Sequence, residues 1–83
     1  MFDHVHELYR ELRTSTDGRA ALAGLMRHRV EGVRLLAATH SLAYYPEEAL
    51  STLEELQDGP GLYAVSAEYT IRSFRSGTLN LDF

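Results

Sequence analysis

Leu62-Tyr63-Ala64-Val65-Ser66-Ala67-Glu68-Tyr69-Thr70-Ile71-Arg72-Ser73-Phe74 is the stretch on which the fold turns. Tyr63, Val65, Ala67, Tyr69 and Ile71 take one set of alternate positions, and Leu62, Ala64, Ser66, Glu68, Thr70 and Arg72 take the other. A period of two is the mark of a half-buried strand, whose successive side chains leave on opposite faces. A strand is therefore predicted over 62–74. The last residues repeat the pattern, Leu79, Leu81 and Phe83 against Thr78, Asn80 and Asp82, which predicts a second strand over 78–83.

The register follows from the side chains, because a slip of one residue sends each of them to the wrong face. A two-residue loop at Ser76-Gly77 opposes Arg72 to Leu81 and Ile71 to Asp82, mixing charge into the apolar row. A three-residue loop, Arg75-Ser76-Gly77, opposes Ile71 to Leu81, Tyr69 to Phe83 and Arg72 to Asn80, and sets Gly77 where a left-handed residue is wanted. The second is preferred.

Upstream the period is helical. Asp58-Gly59-Pro60-Gly61 stops an element whose buried stripe is Ala49, Leu50, Leu53 and Leu56, and Pro46 suits its first turn, so a helix is predicted over 46–57. Glu47 and Glu48 meet the positive end of its dipole. Before it, Ala21, Leu22, Leu25, Met26, Val30, Val33, Leu36 and Ala37 hold close to a 3.6 period, predicting one long helix over 18–43 with Gly24 and Gly32 inside it. Gly32 offers an alternative break, with 33–45 as a strand, but both alternating sets there are apolar and helix fits better. Asp17 or Thr16 is the expected N-cap. Phe2, Val5, Leu8, Tyr9 and Leu12 give a first amphipathic helix over 2–13. The expected fold is α+β, three N-terminal helices followed by a C-terminal antiparallel β-hairpin, in one small domain spanning 1–83.

The chain has 83 residues, of which 45% are hydrophobic and 24% charged, which suits one small core and argues against wholesale disorder. Without cysteine there is no disulfide, thiolate metal site or cysteine nucleophile. No apolar run approaches the length of a membrane span, and Met1-Phe2-Asp3-His4 lacks the basic-then-apolar signature of a secretory signal, so a cytoplasmic location is expected. Eight cations, all Arg, against 12 carboxylates give a formal charge of −4, opposite to the footprint of a nucleic-acid binder. Arg10, Arg13, Arg19, Arg27, Arg29 and Arg34 lie upstream, and Glu47, Glu48, Glu54, Glu55 and Asp58 follow together, so the chain reads as electrically two-ended.

Enzyme motifs are absent. There is no Gly-x-Ser-x-Gly elbow, no phosphate-cradling glycine loop and no His-Glu-x-x-His. His4 and His6 would share a face on a strand but diverge on a helix, and His4 with Glu7 and Glu11 reads as a solvated stripe, so no metal site is expected. His28 and His40 lie too far apart for one metal, and His40 with Ser41 matches a hydrolytic triad in composition only. Neither a catalytic residue nor a cofactor is expected. Glu31 can pair with Arg27 or Arg34 at helical spacing.

The informative feature is the negative ridge Glu47, Glu48, Glu54, Glu55 and Asp58, with Tyr44 and Tyr45 beside it as aromatic anchors. In size, acidity and lack of catalytic signature the chain resembles small phage- or plasmid-borne inhibitors, such as anti-CRISPR proteins, and bacterial immunity proteins. The resemblance implies a phage or bacterial inhibitor with an anti-defence role; it assigns no residue. The expected function is a non-enzymatic protein-protein interaction module that blocks a basic surface of a larger protein, with a homodimer through the C-terminal hairpin. The alternative is a dimeric winged-helix DNA-binding regulator using Arg27, Arg29 and Arg34, in which the groove-facing third helix would carry the wrong sign of charge.

Overall fold

The computed structural model describes residues 2–79, apart from the side chains of residues 2–6. Its elements are five helices: α1 Phe2–Leu12, α2 Thr16–Leu25, α3 Glu31–Ser41, α4 Pro46–Asp58 and α5 Ala64–Arg75. Among the described residues there is no strand, so the α+β expectation, the 62–74 strand and the winged-helix topology are overturned. Of the predicted 78–83 strand, Thr78 and Leu79 are coil, and Asn80 to Phe83 lie outside the described residues.

The stretch 62–74 carries both periods, and the helical one wins through packing. Ala64, Ala67, Ile71 and Phe74 recur at i, i+3, i+7 and i+10 on one face, where Ala67 and Ile71 are buried and Phe74 packs on the core. Val65 and Tyr69, which the strand reading puts beside Ala67, are exposed instead. A helix also closes its backbone hydrogen bonds within itself, whereas a two-stranded sheet is marginal alone. Small residues let the helices approach closely: Ala49 of α4, Ala67 of α5, and Ala37 and Ala38 of α3 have no exposed surface.

Gly77 does take the left-handed conformation expected of it, at φ 77°, but it ends a helix and turns no hairpin. The Gly77 amide donates to Phe74 O at 3.2 Å, and the Thr78 amide to Ser73 O at 3.0 Å. These two bonds are the Schellman arrangement that satisfies a helix's last carbonyls. The same three residues therefore serve a turn in one reading and a cap in the other.

The predicted helix over 18–43 is two helices, α2 and α3, and neither it nor the strand alternative over 33–45 is found. The chain leaves α2 at Met26, which is buried, and re-enters helix after Val30. The link is closed by its own side chains: the Val30 amide donates to His28 Nδ1 at 3.1 Å, and Arg34 Nη1 donates to His28 O at 2.8 Å and Arg29 O at 3.2 Å. Gly32 falls in the first turn of α3, where the ring of Tyr63 packs over it. At the start of α2 the N-cap is Ser15, not Asp17 or Thr16; its Oγ accepts from the Gly18 amide at 3.0 Å. Helices α1 and α4 lie within a residue of their predicted ends.

The core joins Tyr9 of α1 to Leu22, Met26, Leu42, Leu53, Leu56 and Ile71. Tyr9 stacks on His40 with ring centroids 5.4 Å apart and an interplanar angle of 20°. Arg13 Nη1 lies 3.3 Å from His40 Nδ1, a contact in which the guanidinium can only donate. Burial raises the Tyr9 phenol above its usual value of 10.0, because the ionised form is poorly solvated there. A raised folded-state pKa gives stability that is complete below pH about 10 and is lost as pH rises through the raised value. Urea unfolding at pH about 9 and about 11 should therefore show an alkaline loss that Tyr9→Phe reduces. An unchanged loss in Tyr9→Phe would contradict this role.

Candidate protein-binding surface on helix α4

Helix α4 owes its orientation to its two faces. Ala49, Leu53 and Leu56 are buried against α3 and α5. The opposite face therefore points to solvent, and Glu47, Glu48, Ser51, Glu54, Glu55 and Asp58 are all exposed on it. Pro46 starts the helix where a missing amide costs nothing, and the Tyr44 and Tyr45 amides turn the chain by donating to Ser41 O at 3.0 and 2.7 Å.

Glu47 and Glu48 lie in the first turn, where the helix dipole favours them. Glu55 and Asp58 lie in the last turn, where the dipole disfavours negative charge, and that turn carries no basic residue of its own. Each acid at that end costs roughly 0.3–1 kcal/mol at low salt. Among the described residues, Glu47, Glu48, Glu55 and Asp58 form no ion pair, while Glu54 meets Arg75 Nη2 at 3.5 Å. Both members of that pair are more than half exposed, so the bridge contributes little.

The expected separation of charge along the chain does not carry over into space. Arg27 and Arg34 face α4 across an open groove of about 560 Å³, with Glu47, Glu48 and Glu55 on the far wall and Met26 among its lining. No bridge of 4 Å or less closes across it. The acidic face is thus a ridge with arginines along both flanks, Arg27 and Arg34 on one and Arg75 on the other. The expected pairing of Glu31 with Arg27 or Arg34 is absent among the described residues; the Glu31 carboxylate lies against Gly61 instead. The break between α2 and α3 leaves Arg27 off the helix that carries Glu31, and Arg34, though on α3 with Glu31, is held by His28 O and Arg29 O.

The two tyrosines beside the ridge are engaged elsewhere. The Arg19 guanidinium sits 4.0 Å from the centre of the Tyr44 ring, and Arg19 Nε is tied to Arg13 O at 2.7 Å. Tyr45 is half-buried and packs on the core. The large apolar side chains that do face solvent in a row are Leu62, Val65 and Tyr69 at and before the start of α5. Val65 and Tyr69 lie one helical turn apart on α5, and Leu62 precedes the helix. Of the arginines named for the DNA-binding alternative, Arg27 and Arg29 are exposed, and Arg34 is held on the α2–α3 link.

His40 and Ser41 are each only 2% exposed, so neither is accessible to a substrate. His28 is tied to the link before α3. The side chains of His4 and His6 lie outside the described residues, and among the described residues no three His, Asp or Glu side chains gather as a metal site. Among the described residues, no helix is long and apolar enough to cross a membrane. Compared with known protein families, curated proteins and solved structures, the chain matches none.

Proposed function

We propose that this chain is a non-enzymatic interaction module that binds and blocks a basic surface of a larger cytoplasmic protein through the acidic face of α4. The observation that carries the reading is the pair Glu55 and Asp58: exposed, unbridged among the described residues, and set at the dipole end that disfavours them. Charges that cost the fold stability and have no partner within it are what a docking surface requires. The flanking arginines add selectivity, because a broad basic patch is repelled by Arg27, Arg34 and Arg75 while a narrow one fits the ridge.

The test is capture of the partner from a host lysate on immobilised protein, with Glu48→Arg/Glu55→Arg beside the native sequence. The expected result is a partner retained at low salt by the native chain, released as salt rises, and lost from the double variant. Equal retention on both would contradict the reading.

A further inference from the structure

We propose that a second copy of this chain packs antiparallel against the outer face of α5, forming a two-fold dimer apart from the α4 ridge. Leu62 is 93% exposed, Val65 75% and Tyr69 69%, and Val65, Tyr69 and Arg72 recur at i, i+4 and i+7 along that face. Single exposed apolar residues are ordinary; Val65 and Tyr69 one turn apart on α5, with Leu62 two residues before the helix, mark a contact surface.

Charge identifies the occupant. Glu68 and Arg72 pair along the helix at 2.7 Å beside the apolar row, and Arg75 follows one turn on. The face thus runs from apolar, through one acid, to basic. A parallel copy sets Glu68 against Glu68 and Arg72 against Arg72. An antiparallel copy with its two-fold axis level with residue 70 sets Glu68 of each chain against Arg72 of the other, twice over. It also brings the two Tyr69 rings together at the axis. The surface is complementary to itself in that one orientation, as an isologous contact must be. A single helix face is a small interface, so the dimer is weak, with a dissociation constant on the order of 10–100 μM.

Sedimentation equilibrium from about 1 μM to about 1 mM tests the proposal. The native chain should move from monomer to dimer over that range. Val65→Glu should weaken association at least about tenfold, and so should Glu68→Arg or Arg72→Glu alone, because each sets like charges across the axis. An equimolar mixture of Glu68→Arg and Arg72→Glu should recover a mixed dimer, and Glu68→Arg/Arg72→Glu in one chain should recover the homodimer. These residues are solvent-facing, and an unchanged helical circular dichroism signal verifies that each variant is folded. A native chain that stays monomeric throughout would overturn the proposal. So would Val65→Glu associating like the native chain, or a charge-swapped mixture that fails to pair.

Discussion

Leu53→Ala should lower the unfolding free energy by about 3–4 kcal/mol. Leu53 has no exposed surface and lies mid-way along α4, the helix that packs on both α3 and α5. It belongs to the buried cluster that also holds Leu42, Ala49, Leu56, Ala67 and Ile71. Removing its branched end leaves a cavity in that cluster, and the loss falls in the middle of the range for buried leucines. For a chain of this length the total is about 4–12 kcal/mol, so the variant should be partly unfolded at moderate temperature. Urea unfolding followed by circular dichroism measures it, and a loss under about 1 kcal/mol would contradict the packing described for α4.

Gly18→Ala is the second large effect, and its sign is the informative part. In an exposed helix interior, alanine for glycine adds up to about 1 kcal/mol of stability. Gly18 is buried in the first turn of α2, and a Cβ there would overlap the carbonyl group of Leu12. That group is backbone at the end of α1 and cannot rotate aside. The connection is also held by Thr14 Oγ1 donating to Glu11 O at 2.6 Å, Arg19 Nε to Arg13 O, and the Gly18 amide to Ser15 Oγ. Relief requires α1 to shift off the core, at a cost of about 3 kcal/mol. Gly24 has open space around its Cβ position, so Gly24→Ala should instead stabilise by about 0.5–1 kcal/mol. A stabilised Gly18→Ala would contradict the close approach of α1 and α2.

These two sites also mark what was legible in the sequence. Helices α1 and α4 could be read because their apolar stripes have one period and their ends carry strong signals, Pro46 before one and Gly59-Pro60-Gly61 after it. Helix α5 was misread because Val65, Tyr69, Thr70 and Ile71 favour strands one by one, and the alternation they make is as regular as the helical row Ala64, Ala67, Ile71 and Phe74. Only the need of α4 for a close-packed neighbour decides between the two periods. The break at 26–30 has no glycine or proline to announce it, and the apolar period runs through it, since Met26 is core in either reading. The need for glycine at position 18 could not be read, because the contact that imposes it comes from Leu12, in a different helix.

The candidate site was legible in part. The acids of α4 were visible as a cluster, and the structure gives them a common exposed face. Their surroundings could not be read, because Arg27 and Arg34 reach the groove only after the chain has turned between α2 and α3. Nor could the engagement of Tyr44 by Arg19, a contact across 25 residues of sequence.

Glu55→Gln/Asp58→Asn, followed by urea unfolding at low salt and partner capture side by side, tests most directly whether these carboxylates serve a partner and not the fold. The predicted result is a protein about 0.6–2 kcal/mol more stable than the native chain, because negative charge has left the unfavourable end of α4, and a partner no longer retained. A variant that is less stable by 1 kcal/mol or more, or that keeps its partner at native affinity, would contradict it.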